Sequence, residues 1–395
     1  MVLPLSNVKV VDLTRILSGP FCTMLLGDMG ADVVKVEPPG EGDPIRKQGT
    51  IVNGLSTYFA SFNRNKRSLV IDLRSAVGKE ALEELLSKAD VLVENFRPGV
   101  LDDMGFSAAR LEAINPCLIV ASINGYGSTG PYAQRPAFDF IAQAMSGFMS
   151  LNGGADDGAM RSGVPVSDLI AGIYAAFGIV SALRARDITG RGQRVEAAMV
   201  DSIMSLFAWY ASDYLAAGKP VVRSGNDHPI TAPYGMFTAS DGAIAVAPST
   251  EAVLERFLKE IDLPTLKEDP RFASNAARMA NREALNAIIN ERTARDSQAN
   301  WISRLNGAGV PCGVVQGLPE VFSDPQTLHR EMVLPVEHPG HGIVRMLGFP
   351  VKLSNTPCLV RHPAPAHGEH NAEIVDDWQL KSPGLIPPEN LKTRA

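Results

Sequence analysis

Two aspartates, each opening an apolar helical pattern, are the candidate reactive groups. Asp168 closes Gly163-Val164-Pro165-Val166-Ser167-Asp168 ahead of LIAGIYAAFGIVSAL, and Asp139 follows Arg135-Pro136-Ala137-Phe138 into FIAQAMSG. At a helix N-cap, backbone N–H groups and the helix dipole keep a carboxylate ionised. An exposed, ionised carboxylate with no metal partner can act as a nucleophile. Ala171 and Gly172 leave room beside Asp168, and the glycine-rich stretch from Gly153 to Gly163 is flexible enough to gate it. Read alone, either aspartate serves equally well as a plain structural cap.

A second constellation is basic: Asn63-Arg64-Asn65-Lys66-Arg67-Ser68, then Arg74, then Glu94-Asn95-Phe96-Arg97-Pro98-Gly99. Asn95, Phe96 and Arg97 follow the strand pattern VLVE directly, where open α/β sheets hold ligands. An amide, an aromatic face and a guanidinium there suit a nucleotide that needs base stacking and phosphate neutralisation. A solvated surface cluster is the competing reading. Glu37 ends the second strand pattern near the position of a ribose-binding acid, but only Gly19 stands in the first turn, where a dinucleotide fingerprint needs three glycines. No phosphate-loop motif and no Gly-x-Ser-x-Gly occur. His228 falls in a loop and the other six histidines in the C-terminal quarter, so none approaches either aspartate in sequence, and no ligand cluster points to a metal. Cys22, Cys117, Cys312 and Cys358 lie far apart and read as buried small residues in a reducing compartment.

The elements that must hold these groups follow from periodicity. VKVVDL and ADVVKVE read as strands around a helix that Pro20 starts and Gly30 ends, and strand patterns recur at 69–73, 90–94 and 118–123 with helices at 77–88 and 108–114 between them. Such alternation predicts a parallel α/β sheet. After the turn Thr189-Gly190-Arg191-Gly192, a VEAA strand leads into one long helix reaching about Ala217. The stretch 221–233 gathers Pro, Gly, Asn and His as a linker does. A hairpin about Ser240-Asp241-Gly242, several helices and the strand PCGVV then give a smaller α+β domain. The expected division is 1–220, 226–325, and a segment 330–395 returning to the first domain.

The 395 residues suffice for such cores. Apolar residues make up 45% and charged ones 20%, which excludes a disordered or fibrous chain. A net charge of −6 argues against bulk nucleic-acid binding. The longest apolar run, Leu169 to Leu183, reads as a core helix too short for a membrane span. A start without a basic leader region leads to the expectation of a cytoplasmic protein.

Taken in order, VVDLTRILSGP, GADVVKVEPPGEGDPIR, NRNKRS, ENFRPG, GYGSTGP, GVPVSDL and TGRGQRVEAAM resemble the family III CoA-transferases, which include formyl-CoA and carnitine CoA-transferases. The resemblance implies interlocked homodimers, each chain passing through the other, built from a Rossmann-like parallel-sheet large domain with a smaller α+β domain inserted. It implies that Asp168 is the nucleophile, moving CoA between a thioester and a small mono- or dicarboxylic acid through an aspartyl anhydride and an aspartyl-CoA thioester. Coenzyme A is then substrate, with no prosthetic group, metal, nucleic acid or membrane partner. CoA contacts carry over onto Ile16, Leu17, Ser18, Ile71, Arg74, Asn95, Phe96, Arg97, Ala137, Phe138 and Asp139. Asp103 stands where relatives often have a basic residue facing the CoA phosphates. Leu17 replaces a glutamine of the formyl enzyme, which argues against formyl-CoA or oxalate as the main pair, and Gly225-Asn226-Asp227-His228-Pro229 resembles relatives acting on small dicarboxylates. The α-methylacyl-CoA racemases share the superfamily and add a histidine base before the acid matching Asp139; here that residue is Phe138. A racemase and a non-catalytic acyl-CoA-binding protein are the alternative readings.

Overall fold

A computed structural model describes residues 2–381. Six strands form one parallel sheet: β1 (Lys9–Asp12), β2 (Asp32–Glu37), β3 (Lys66–Val70), β4 (Val91–Glu94), β5 (Ile119–Asn124) and β6 (Arg194–Ala198). Their spatial order is β3-β2-β1-β4-β5-β6, with every neighbouring pair parallel. The connecting helices are α1 (Ser18–Asp28), α2 (Thr57–Asn63), α3 (Ala76–Lys88), α4 (Ala108–Ile114), α5 (Asp139–Met145), α6 (Val166–Thr189) and α7 (Met199–Met204).

The central stretches of the strands are apolar because helices cover both faces. Val10, Val33, Val91 and Ile119 pack toward α1 and α6, through Cys22, Leu26, Ala171, Ala175 and Ile179. Their neighbours Val11, Val34, Leu92 and Val120 pack the other way, against Leu82, Leu85 and Leu86 of α3 and Leu111 of α4. Small residues on the inner face of α6 let this helix lie close to the sheet. Its other face is not covered: Ile173, Tyr174, Phe177 and Val180 are exposed, Phe177 by 70%. The expected core helix is therefore buried on one side only, and at 24 residues it meets the length and composition of a membrane span. Among the cysteines only Cys22 is buried and Cys117 is exposed, so burial does not account for the latter.

The chain divides into two compact units, one of residues 1–148, 161–208 and 325–395, the other of 149–160 and 209–324. The single long helix expected up to Ala217 does not form. Instead α7 ends in a short 3-10 turn, Ala208 takes a positive φ of 48°, and α8 (Trp209–Ala217) belongs to the second unit. That unit carries an antiparallel sheet of β7 (Gly235–Ala239), β8 (Gly242–Val246) and β9 (Cys312–Val314) around Phe237, Phe257, Phe272 and Trp301. In the first unit, β10 (Val333–His338) and β11 (Gly342–Leu347) form a hairpin. The chain then runs along β3, where Gly368 N–H donates to Ser68 Oγ and Val70 N–H to Asn371 Oδ1, into α9 (Asn371–Asp377). Residues 382–395 of the expected returning segment lie outside the described residues.

Candidate active site

The order of the sheet creates the site. On one side of β1 the chain departs through α1 to β2; β4, on its other side, is entered from α3 on the opposite face. The loops leaving the carboxyl ends of β1 and β4 therefore diverge and leave a crevice. One side chain bridges it: Asn95 Oδ1 accepts from Arg15 N–H at 2.9 Å, and Asn95 Nδ2 donates to Arg15 O at 2.8 Å. The Arg15 guanidinium lies 5.4 Å from the centre of the Phe96 ring. Below them opens a cavity of about 380 Å³ with Asp168 in its wall.

Asp168 is not a cap. Pro165 occupies that position, and Asp168 is the third residue of α6. Its setting is fixed by Gly172, one turn on: a Cβ there would lie 2.7 Å from Ser18 O, so only glycine lets α6 cross the first turn of α1 at this distance. The crossing places Ser18 beside Asp168 in the cavity wall. Burial, and then the neighbouring charge of Asp139, push Asp168 up to about 7, with the Ser18 hydroxyl opposing them. The expected fully ionised, exposed carboxylate is thus corrected to a partly desolvated one that titrates near neutrality.

Asp139 stands behind the cavity wall. It is the first residue of α5; its Oδ1 accepts from Ser167 N–H at 3.0 Å and Ser167 Oγ at 2.8 Å, and its Oδ2 from Gln143 Nε2 at 2.7 Å. It therefore supplies the cap that α6 lacks from its own sequence.

Of the other positions singled out in the sequence, Ile16, Leu17, Ser18, Asn95, Phe96, Arg97, Ala137 and Phe138 all line the cavity with Asp168. Ala137 reaches it because Gly125, after β5, has no side chain to meet it: a Cβ there would be 2.5 Å from that of Ala137. Two positions are not brought in. Ile71 is buried in the core, and Arg74 is exposed and bonded to Asp72 at 3.0 Å, so neither lines the cavity. Asp103 ends a short helical turn and is likewise exposed. The basic run before β3 is also unavailable, because Arg64, Lys66 and Arg67 are buried in ion pairs. Arg15, Asn124, Arg135 and Met199, which the sequence reading passed over, line the cavity instead. Arg15 and Asn124 had a usable signal, as each stands at or just past the carboxyl end of a strand.

Among the described residues, no group of three or more His, Cys, Asp or Glu side chains is placed to hold a metal. The arrangement is thus a partly desolvated carboxyl group, a serine hydroxyl beside it, and three arginines in the walls. It can attack an activated acyl group and hold an anion, and nothing in it resembles a redox site.

The family model for CoA-transferase family III matches residues 5–371, and the chain belongs to that family. It is a CoA-transferase, whose substrates include a CoA thioester. It is 37% identical over 384 residues to the succinyl-CoA:glutarate CoA-transferase of Mus musculus, covering 97% of this chain and 88% of that one. It is 40% identical to the acetyl-CoA:oxalate CoA-transferase of Acetobacter aceti, over 89% of each. Among solved structures, a CAIB/BAIF family protein from Brucella suis superposes with a TM-score of 0.86 at 39% identity, covering 96% of this chain and 100% of the other.

Proposed function

We propose that the protein moves CoA from an acyl-CoA thioester to a small carboxylate, with Asp168 as the covalent carrier. The observation that carries this reading is a partly desolvated carboxyl group beside Ser18, in a cavity whose walls bring Arg15, Arg97 and Arg135 together. The Asp168 carboxylate attacks the thioester carbonyl carbon, the C–S bond breaks, and CoA leaves as thiolate, giving an acyl-aspartyl anhydride. The thiolate then attacks the Asp168 carbonyl carbon and expels the donor acid, which carries away one Asp168 oxygen. Aspartyl-CoA remains. An acceptor carboxylate attacks it, CoA thiolate leaves again, and thiolate attack on the acceptor carbonyl of the new anhydride releases product and restores Asp168 with one acceptor oxygen. The arginines hold the anionic parts of the CoA ester by charge-assisted hydrogen bonds.

Phe138 supports transfer over racemisation. It occupies the N-cap position of α5 and is 68% exposed, so no base stands beside Asp139 to return an α-proton. The relatives named for glutarate and oxalate make small dicarboxylates, oxalate included, the acceptors to screen. The exposed apolar stripe of Ile173, Tyr174, Phe177 and Val180 supports a homodimer in which a second copy covers α6.

The test pairs donors with acceptors. Purified protein is given acetyl-CoA, succinyl-CoA or 2-methylbutanoyl-CoA with succinate, glutarate, mesaconate or oxalate in D₂O. Transfer to at least one acceptor, with no deuterium at the α-carbon of a branched acyl-CoA, is expected. Rapid α-deuteration with no transfer to any acid overturns the reading in favour of a racemase.

A further inference from the structure

The GEGDPIR segment lies outside the cavity lining, yet its aspartate reaches the turn that forms one wall. Asp43 and Lys35 form a fully buried ion pair at 2.9 Å beneath the loop leaving β1. Each partner also holds that loop. Lys35 Nζ donates to Thr14 O at 2.8 Å, and the Asp43 carboxylate accepts from Ile16 N–H at 3.3 Å. Asp43 is itself held by its own backbone N–H, which donates to Glu37 Oε1, while Glu37 pairs with Arg46. The residue so clamped is unusual: Ile16 has a φ of 71°. A β-branched side chain in the left-handed region is a genuine outlier, and such a conformation persists only where its surroundings over-determine it. Two residues on, the same turn places Ser18 in the cavity wall with Asp168, where its carbonyl oxygen meets α6 at Gly172.

We propose that Lys35 and Asp43 are positioning residues, which hold the Ile16 turn so that Ser18 stays beside the Asp168 carboxyl group in the cavity wall. The inference rests on Asp168 being the nucleophile. A turn that relaxed toward a negative φ at Ile16 would withdraw Ser18, which opposes the rise at Asp168. The titratable groups around that carboxyl are Asp139 from α5 and Tyr58 from α2, and Arg15, Arg97 and Arg135 share its cavity. Among the described residues, Ser18 is the group that holds it down.

The test is the pH profile of kcat in Asp43→Asn, Ser18→Ala and the double variant, at saturating substrates. The acid limb in Asp43→Asn should move upward by about one pH unit, the worth of a lost hydrogen bond to a charged group, and so cut kcat roughly tenfold on the acid side. Ser18→Ala should move it by a similar amount, and the double variant should go no further. If Asp43→Asn is poorly folded, the same comparison is made in an Ile16→Gly background, where glycine adopts the turn without strain and the shift should shrink. A uniform loss of amplitude with the limb unmoved, or a double variant in which the shifts add, overturns the positioning role. Asp168→Asn separates the two claims: if it still transfers CoA, the nucleophile reading itself has failed.

Discussion

Two basic stretches separated by one helix in the chain meet opposite fates. Arg64, Lys66 and Arg67 at the start of β3 are buried and consumed: Arg64 by Asp28 at 2.7 Å, Lys66 by Asp12 at 3.1 Å, and Arg67 by Asp32, Glu373 and Asp377. Arg97, just past the end of β4, lines the cavity and has no carboxylate partner among the described residues. Both stretches carry arginine within two residues of an asparagine, so residue type does not distinguish them. Position on the strand does. A cation at the entry to a strand is carried into the sheet and must meet an acid there or pay the cost of a buried charge. A cation beyond the carboxyl end stays at the crevice, where a ligand can be its partner.

The largest effect should come from breaking the buried set. Arg64→Met leaves Asp28 without its guanidinium, and urea denaturation should show a loss of about 3–5 kcal/mol. Pairing it with Asp28→Leu should recover most of that, and failure to recover would mean that Arg64 holds more than Asp28. Next, Arg97→Ala should leave the melting curve in place and raise KM for acyl-CoA about 10–100-fold, with kcat little changed. A collapse of kcat at unchanged KM would move Arg97 to the reacting centre.

A smaller effect separates Asp168 from an ordinary cap. Its carboxyl titrates at about 7 in the fold against an ordinary 3.8, so folding is opposed as pH rises from about 4 to 7, and the cost is fully present above that range. Asp168→Asn should therefore raise the melting temperature at pH 8, by the equivalent of about 1–2 kcal/mol after allowance for partial solvent access, with the gain fading toward pH 4. A stabilising cap would show the reverse sign at pH 8. The smallest effect belongs to Arg74→Ala. Because Arg74 is exposed and bonded to Asp72, KM for acyl-CoA should change less than about threefold. A rise as large as that for Arg97 would restore Arg74 to the CoA site.

What the sequence made legible follows the range of each interaction. Strand and helix patterns up to β5 were local, and the periodicity of VKVVDL and ADVVKVE carried them. The approach of Asp168 to the first turn was half legible, since Gly172 advertised a close contact without naming Ser18. Asp139 stayed open between a reactive acid and a cap because its bond to Ser167 spans 28 residues. The same distance hid the Asp168 environment: helix position alone suggests an ionised carboxylate, and only the packing of α5 and α1 against α6 reverses it. The basic run misled for a related reason, as its acids come from β1, α1, β2 and α9, and the composition of the run does not reveal them.

The central claim is that CoA rides on Asp168. Enzyme incubated with acyl-CoA and an ¹⁸O-labelled acceptor carboxylate, quenched in acid and digested, should yield the peptide containing Asp168 in two forms. One carries a CoA adduct that hydroxylamine removes, and the other carries one ¹⁸O in the free carboxyl group; both should be missing from Asp168→Asn. Transfer of CoA at the wild-type rate with neither the adduct nor the label on Asp168 would contradict the account.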